Sequence, residues 1–287
     1  MKTVIIYNPN STGDSEVNAK TLARQLRKEG AAVVVRKTAF AKHGEEIAAN
    51  YAKKDEAITL VSSSGDGGYH EVVNGVLKHH SKHIVVGVLP SGNANDHYSA
   101  LRKGSLVEAI RDKKFRSIDT IKVTATIDGK LWIRYAHSYA GIGITAHAAK
   151  QLTVERPNIF TEKWIVVRSL LSFRYAKVRE AGRVRRYSSL ICGNIDTMSK
   201  VVKLSEDASI TDGKFEISYV SFRSKLRLIA YLLTAATIGL KTSRSVRKYE
   251  CTTTKRLPIQ LDGEVYVVDA KSELVIESIK QNLRSIL

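Results

Sequence analysis

Three loops rich in glycine, serine and asparagine, each directly after a short apolar run, are the part of this chain best suited to chemistry. The loops are residues 8–13, 64–68 and 89–96, and the runs before them are residues 4–7, 57–61 and 84–88. Loops of this composition can turn several backbone N–H groups toward one anion, because few side chains stand in the way. Three such loops in the first third of the chain predict a binding site for the phosphates of a nucleotide.

The apolar runs must be strands, and the stretches between them have the periodicity of helices. Leu22, Ala23 and Leu26 recur at helical spacing, and Ser105 with Glu108 forms a capping box at the start of a later helix. Strands that alternate with helices predict a parallel sheet covered on both faces. Ligands of such sheets bind at the carboxyl ends of the strands, so the three loops are expected to meet there. No Gly-x-x-x-x-Gly-Lys-Ser/Thr sequence occurs, which excludes a P-loop site.

The pattern changes at about residue 118, where alternation typical of strands begins. It recurs at residues 121–127, 131–139, 188–192, 215–220, 258–261 and 265–268. Asp-Gly dipeptides that favour tight turns follow or separate these runs, at positions 128, 212 and 262. The second half of the chain is therefore predicted to be an antiparallel β domain, interrupted by helical, basic insertions near residues 156–180 and 223–248.

The net charge of +18 predicts attraction to a polyanion. Residues 150–186 hold ten Lys or Arg against three Glu, and residues 222–248 hold seven Lys or Arg and no acid. The latter flank an apolar run of 13 residues, 228–240, which is too short to span a bilayer. A cationic, apolar helix of this kind favours binding at an anionic membrane surface, with a buried core helix as the alternative interpretation of the run.

Nucleic acid is the competing polyanion, and none is expected as a partner, because no helix-turn-helix, zinc finger or basic motif interleaved with aromatic residues occurs. The chain has only two cysteines, too few for a disulfide framework, and its first apolar run is too short for a secretory signal. A cytoplasmic protein, peripherally associated with the inner membrane face, is therefore predicted.

Taken together, the motifs resemble those of a known family. In order along the chain they are Asn8-Pro9, Gly65-Asp66-Gly67 with Glu71-Val72-Val73-Asn74-Gly75, Leu89-Pro90 with Asn95-Asp96, Ile118-Asp119, Ala208 with Asp212-Gly213, and Asp262-Gly263-Glu264. Each is weak alone, but their order and spacing resemble the diacylglycerol kinase catalytic-domain family. The likeness is to its bacterial soluble lipid kinases, which are similar to sphingosine and ceramide kinases and, more distantly, to NAD kinases.

The resemblance implies both a fold and an activity. The fold is an NAD-kinase-like α/β domain, with a parallel sheet and helices on both faces over residues 1–120, and an antiparallel β-sandwich domain over residues 121–274. The amphipathic residues 275–287 are expected to pack back on the first domain. The implied reaction is transfer of the ATP γ-phosphate to a lipid hydroxyl at the membrane, with diacylglycerol as the leading acceptor. A sphingoid base or another lipid alcohol also fits as acceptor, and the oligomeric state, a homodimer included, is left open.

The resemblance also implies roles for individual residues. The nucleotide would be cradled by Asn8, Thr38, Gly65, Asp66, Gly67, Gly92 and Asn93. Mg²⁺ and its waters would be held by Asp66, Asp96 and Asp119, and carboxylates on two phosphate loops would repel ATP unless a cation bridged them.

Two further groups of residues lie in the second half of the chain. Asp262 and Glu264 would serve in catalysis with Asp66, one of the pair as general base and the other orienting it. Asp212, with the carbonyls of Ser209 and Lys214, would form a separate structural Mg²⁺ loop. A bare Asp-Gly is more often only a hairpin turn, which is the alternative interpretation of these positions.

The chain departs from the family pattern in two loops. Where the family has Gly-Gly-Asp-Gly-Thr, residues 64–68 read Ser-Gly-Asp-Gly-Gly, and the usual Gly-Thr is Gly92-Asn93. The changes at Gly68 and Asn93 each remove a hydroxyl that would face a phosphate, and losing one hydrogen bond to a charged group costs about 1.5–3 kcal/mol. The alternatives to an active lipid kinase are therefore a catalytically weakened member that binds nucleotide or lipid in a regulatory role, and an NAD-kinase-like enzyme.

Overall fold

Strands and helices alternate through the first third of the chain in the computed structural model, as the apolar runs predict. The structure describes residues 1–11, 13–92, 95–101, 104–155, 175–198, 202–203, 208–221 and 243–286. These residues divide into a first unit, Met1–Thr120 with Lys280–Leu287, and a second unit, Ile121–Ile279.

Among its described residues, the first unit contains four whole strands, five helices and parts of two strands that continue into the second unit. In chain order these are β1 (Lys2–Tyr7), α1 (Ser15–Lys28), β2 (Val33–Lys37), α2 (His43–Lys54), β3 (Ile58–Ser64), α3 (Asp66–Leu77), β4 (Val85–Pro90), α4 (Asp96–Leu101), α5 (Leu106–Arg111), the first residues of β5 (Phe115–Ile127) and the last residues of β17 (Glu273–Ile286). The four parallel strands lie in the order β4-β3-β1-β2. All seven residues of β3 are buried, as expected for a central strand with helices on both faces.

Packing in the first unit follows the amphipathic pattern of its helices. On one face of the sheet, Leu22 and Leu26 of α1 and Leu106 of α5 pack against Ile5 and Val61. The N-cap half of the predicted capping box is confirmed at the start of α5, where the hydroxyl of Ser105 accepts the backbone N–H of Glu108.

The helix pair α2 and α3 packs at very short range because of two glycines. A Cβ on Gly75 would lie only 2.4 Å from the carbonyl oxygen of Glu45, and one on Gly44 would lie 2.7 Å from Oε2 of Glu71. The carboxylate of Glu71 accepts the backbone N–H groups of Lys42, at 2.8 Å, and Gly44, at 3.0 Å. Glu71 on α3 therefore satisfies the first turn of α2, which has no side-chain cap of its own.

The C-terminal strand completes the sheet of the first unit beside β4. Ser285 pairs in parallel with Val86, and the side chain of Ile286 lies so close to Gly87 that a Cβ there would be 2.9 Å from Ile286 Cδ1. Arg284 donates to the carbonyl of Lys82 at 3.0 Å. Residues 280–286 are thus an integral strand of the first unit.

The second unit consists mainly of antiparallel strands. Its elements are β5 (Phe115–Ile127), β6 (Lys130–Ala136), β7 (Tyr139–Gly143), α6 (Ile144–Glu155), β8 (Ala176–Glu180), β9 (Arg183–Gly193), β10 (Thr197–Met198), β11 (Val202–Lys203), β12 (Phe215–Ser221), β13 (Ser243–Val246), β14 (Lys248–Thr253), β15 (Leu257–Leu261), β16 (Glu264–Val268) and the first part of β17. The main strand order is β16-β15-β7-β9-β8-β14-β17, with β12 and β13 beyond β9 and the hairpin β5-β6 beside β17.

Tight turns and a large hydrophobic core stabilise this antiparallel unit. Asp128 and Gly129 join β5 to β6, and Asp262 and Gly263 join β15 to β16; all four residues have positive φ, as a type I′ hairpin turn requires. Among the described residues of this unit, inward side chains from most strands form a large hydrophobic core, which includes Ile142, Leu190, Phe215, Ile259 and Leu274. The α/β arrangement followed by an antiparallel β domain, predicted from the sequence, is confirmed.

Candidate functional site

The three predicted phosphate loops meet at one edge of the parallel sheet, and Ser91 joins them. Its backbone N–H donates to the carbonyl of Ser64 at 3.0 Å, and its hydroxyl lies 3.1 Å from the hydroxyl of Ser63. The side-chain amide of Asn18, in the first turn of α1, donates to the hydroxyl of Ser91 at 3.0 Å. The hydroxyl of Ser11 donates to the carbonyl of Ser91. Because β1, β3 and β4 are adjacent, loops that are far apart in sequence share one buried hydroxyl network.

Glycine is required where these loops touch. A Cβ on Gly92 would lie 2.6 Å from Cα of Gly65, and one on Gly13 would lie 3.1 Å from the carbonyl carbon of Ser91. Backbone packed this closely leaves peptide groups, and no bulky side chains, at the loop edge, which suits close approach by a phosphate. Asn93, the remaining residue predicted for this cradle, lies outside the described residues.

The other predicted nucleotide contacts lie at the ends of the same strands. Asn8 is exposed directly after β1, and its side-chain oxygen accepts the N–H of Asn10 at 2.9 Å. Thr38 is buried after β2 and donates its N–H to the carbonyl of Tyr7 at 2.9 Å. Gly67 is half-buried in the first turn of α3. Their contact with a nucleotide remains a prediction.

Asp66 is the buried first residue of α3, where the sequence had suggested a loop position. Its carboxylate accepts the backbone N–H groups of Asp96, at 2.8 Å, and His97, at 3.4 Å. These are the first two residues of α4, so Asp66 acts as an N-terminal cap supplied by another helix. The contact brings two of the three predicted magnesium ligands, Asp66 and Asp96, into one neighbourhood.

Asp119 is anchored differently. It is buried on β5, and its carboxylate accepts the N–H of Gln281 at 2.7 Å, while the neighbouring Thr120 donates to Asn282 at 2.9 Å. Asp119 therefore fastens the C-terminal strand to the first unit. Within the described part of the chain, no group of three or more His, Cys, Asp and Glu side chains could hold a metal ion, so the three-carboxylate Mg²⁺ network remains a prediction.

Asp262 is enclosed by a short stretch of its own unit. Its side chain has no exposed area and accepts the backbone N–H groups of His137 at 2.9 Å, Ser138 at 2.9 Å and Tyr139 at 3.1 Å. The ring Nε2 of His137 lies 3.4 Å from the same carboxylate. Three N–H donors from consecutive residues therefore fix the position and orientation of the Asp262 carboxylate.

Glu264 presents the opposite environment two residues later. It is the exposed first residue of β16 and pairs across the turn with Leu261. The carboxylate of Glu264 is therefore accessible to solvent, whereas the carboxylate of Asp262 accepts hydrogen bonds from the backbone of residues 137–139. The surroundings of the two acids therefore differ, while their roles in catalysis remain a prediction.

The predicted structural Mg²⁺ loop forms a tight turn. The exposed Asp212 accepts the N–H of Lys214 at 2.9 Å, and Ser209 accepts the N–H of Thr211 at 3.4 Å. This is a side-chain-to-backbone turn that Asp and Ser form without any cation. Metal binding by Asp212 and the carbonyls of Ser209 and Lys214 remains a prediction.

Several residues that shape these sites were not singled out from the sequence. They are the buried serines under the loops, Ser63 and Ser91, and the segment His137 to Tyr139 around Asp262. Serines at the ends of apolar strands are a signal for the first group, since a hydroxyl that ends a buried strand needs a partner. No local signal marks the second group, because its partner lies more than one hundred and twenty residues further along the chain.

The two basic insertions lie mostly outside the described residues, because the structure does not describe residues 156–174 and 222–242. Of the first insertion, 150–186, the structure describes residues 150–155 at the end of α6 and residues 175–186, which include β8 and the start of β9. The second of these stretches carries several exposed arginines. No helix among the described residues has both the length and the apolarity needed to cross a membrane.

Comparisons with known proteins agree with the motifs. Residues 2–123 match the model of the diacylglycerol kinase catalytic domain. The chain is 26% identical over 278 residues to a protein named diacylglycerol kinase from Staphylococcus carnosus, covering 91% of this chain and 87% of that protein. It is 23% identical over 270 residues to a protein of the same name from Staphylococcus aureus (strain bovine RF122 / ET3-1), covering 91% and 85%.

A solved structure shares the fold along nearly the whole chain. The crystal structure of a diacylglycerol kinase from Bacillus anthracis superposes with a TM-score of 0.74 at 16% identity, covering 99% of this chain and 96% of that one. Both halves of the architecture thus have a counterpart among known folds. The resemblance of this chain to the diacylglycerol kinase catalytic-domain family is confirmed, and its residues 2–123 match the model of that catalytic domain.

Proposed function

We propose that this protein is a lipid kinase, which transfers the γ-phosphate of ATP to a lipid hydroxyl, with diacylglycerol as the acceptor. The observation that carries the proposal is the meeting of three glycine loops at Ser91, with the Asp66 carboxylate beside them at the start of α4. The related proteins named diacylglycerol kinase match this chain over about nine tenths of its length, which supports the lipid acceptor.

The residues present suit ATP and Mg²⁺. Gly65 and Gly92 leave no room for a Cβ between them, so the backbone of the loops can approach the phosphates closely. Asn8, Thr38, Gly67 and Asn93 are proposed to complete the nucleotide cradle. Asp66 and Asp96 would hold Mg²⁺ largely through water, since this ion needs few direct carboxylates. When bound, Mg²⁺ neutralises charge on the phosphate oxygens.

Acceptance of the hydroxyl proton is assigned to the pair Asp262 and Glu264. A general base must come within hydrogen-bond reach of the hydroxyl whose proton it takes. Glu264 is exposed, whereas both oxygens of Asp262 already accept backbone N–H groups. We therefore propose Glu264 as the proton acceptor, with Asp262 fixing the turn that presents it.

The reaction would occur at the inner membrane face, because the acceptor lies in the bilayer. The net charge of +18 favours an anionic surface, and the basic insertions 150–186 and 222–248 are proposed to contact it. Asp212, with the carbonyls of Ser209 and Lys214, is proposed as a separate structural Mg²⁺ loop that stabilises the second unit without taking part in transfer.

The test is transfer of labelled γ-phosphate from ATP and Mg²⁺ to a panel of lipids in anionic mixed micelles. Wild type should phosphorylate diacylglycerol, and Asp66→Asn and Glu264→Gln should each lower the rate at least a hundredfold, as expected when a charge-stabilising or proton-accepting group is lost. Lys53→Gln, an exposed change on α2, is the matched control and should keep the wild-type rate.

Two other outcomes would replace the proposal. ATP binding without transfer to any lipid would assign the chain to a regulatory, nucleotide-binding role, which the unusual Gly68 and Asn93 make the main alternative. Transfer to NAD, with no lipid product, would assign it to the NAD-kinase type of reaction.

A further inference from the structure

We infer that the hairpin β8-β9 docks on an anionic phospholipid surface through one face, formed by Lys177, Arg179, Val184 and Arg186. This inference rests on the proposed lipid-kinase function for its biological sense, because such an enzyme has to reach a substrate held in a bilayer. The surface itself follows from the register and exposure of the hairpin.

Strand register places these four residues on one face. Lys177 lies opposite Arg186, and Arg179 lies opposite Val184, and directly opposed residues in an antiparallel pair point to the same side. The alternate residues Ala176, Val178 and Tyr187 belong to the core of the second unit. The face that carries the cations is therefore the outer one.

The outer face combines cations with an exposed apolar group. Val184 is 47% exposed; Arg179 is exposed opposite it on β8, and Arg186 is exposed two residues further along β9. At a membrane surface the cations contact headgroup phosphates and the valine side chain is buried in an apolar layer, whereas in water the valine side chain stays exposed to solvent. This pairing of cations and an apolar tip is what selects a lipid surface as the occupant.

The only carboxylate of the hairpin is kept away from this face. Glu180 lies on the core side, where it accepts a hydrogen bond from the hydroxyl of Tyr249. By strand register, Glu250 of β14 and Glu273 of β17 share the outer face with Arg179. Glu250 forms an ion pair with Lys248 at 2.5 Å. The cations of the hairpin therefore act together on whatever approaches its tip.

The aromatic group beside the hairpin argues against nucleic acid as the occupant. Single-stranded nucleic acid binds by stacking bases on free aromatic faces. Tyr175 is the exposed aromatic residue next to this face, and the guanidinium of Arg186 lies over its ring, 5.6 Å from the centroid. One face of that ring is thus already covered by a cation.

The experiment measures binding to vesicles in the absence of ATP, so that it does not depend on kinase activity. Sedimentation with vesicles of equal parts phosphatidylglycerol and phosphatidylcholine is compared with pure phosphatidylcholine. The triple variant Lys177→Gln, Arg179→Gln, Arg186→Gln should bind the anionic vesicles roughly a hundredfold more weakly than wild type. The matched control, Lys28→Gln, Lys53→Gln, Lys54→Gln, removes three exposed charges from α1 and α2 and should lose no more than about threefold.

A gain of binding excludes a folding artefact. Val184→Trp enlarges the apolar tip and should strengthen binding to the anionic vesicles several-fold. Equal losses in the two triple variants, no binding by wild type, or tighter binding to single-stranded RNA than to vesicles would each overturn the inference. Phosphorylation of a water-soluble, short-chain diacylglycerol should proceed at the same rate in all variants. Absence of that activity in wild type would contradict the proposed function and would not bear on the docking face.

Discussion

The side chain of Ser64 occupies the space that a side chain on residue 68 would need. A Cβ added to Gly68 would lie 2.5 Å from the hydroxyl oxygen of Ser64 and 2.6 Å from its Cβ. That hydroxyl also lies 2.7 Å from the hydroxyl of Ser62. The two positions at which the second loop departs from the family pattern are therefore one coupled change, in which a hydroxyl at 64 replaces one at 68.

We predict that Gly68→Thr alone lowers the free energy of unfolding by about 2 kcal/mol, because it overpacks the loop. Adding Ser64→Gly should restore most of that loss, giving a coupling of at least about 1 kcal/mol in a double-mutant cycle. Urea denaturation of wild type, the two single variants and the double variant measures this coupling free energy. Simple addition of the two single effects would show that the positions are independent.

We predict that Asp66 has separable structural and chemical roles. Asp66→Ala removes the cap of α4 and should lower stability by about 1–2 kcal/mol. Asp66→Asn keeps one acceptor oxygen, so its stability should fall by less than about 1 kcal/mol while phosphate transfer is lost. Thermal unfolding and the transfer assay, run side by side, would contradict this if the two variants behaved alike.

We predict opposite behaviour for the two acids of the β15-β16 turn. Asp262→Ala leaves three buried N–H groups without an acceptor and should cost about 3 kcal/mol or more. Glu264→Gln changes an exposed side chain, so the unfolding midpoint should stay constant while the transfer rate falls. If Glu264→Gln kept its rate and Asp262→Asn folded normally but lost it, Asp262 would be the proton acceptor.

We predict that Gly75→Ala separates α2 from α3. Its new methyl group would meet the carbonyl of Glu45 at 2.4 Å and the side chain of Ala48 at 2.7 Å, which should cost about 1–3 kcal/mol of unfolding free energy. The matched control is Gly104→Ala, where a Cβ meets nothing within 4 Å. Equal denaturation midpoints for the two variants would disprove the close packing.

We predict that both cysteines are unreactive in the native protein. Burial raises the pKa of Cys251 to about 12 from its ordinary 9.0, and it also raises the pKa of Cys192. At pH 8 both thiols should resist Ellman's reagent, and both should react in guanidinium. Because the folded pKa exceeds the unfolded one, the free energy of unfolding should fall as the pH rises above about 9. Fast native labelling would contradict this burial.

Elements whose pattern is local were predictable from the sequence. The strand runs before the three loops, the capping box of Ser105 and the turn at Asp262 and Gly263 all follow from residues a few positions apart. The start of α3 was missed, because Asp66, Gly67 and Gly68 are poor helix formers. Their helical state depends on tertiary contacts, among them the bond from Asp66 to the first turn of α4.

The surroundings of the candidate site residues were less predictable. The sequence identified Asp262 and Glu264 but could not show that one is enclosed by residues 137–139 and the other exposed. It also suggested a missing hydroxyl at Gly68, whereas the serine that replaces it stands four positions earlier. The enclosure of Asp262 and the contact between Ser64 and Gly68 both depend on how the folded backbone brings residues together. A pattern of residue types along the chain does not contain that information.

The strand formed by residues 280–286 has a consequence for how the protein is made. The first unit closes its sheet with residues that leave the ribosome only after the whole of the second unit has been synthesised. Until then, the edge of β4 beside Val86 stays open and Gly87 lacks the isoleucine that covers it. The domain that is translated first is therefore the one that finishes folding last, and the nascent chain must keep an unpaired strand edge from aggregating in the meantime.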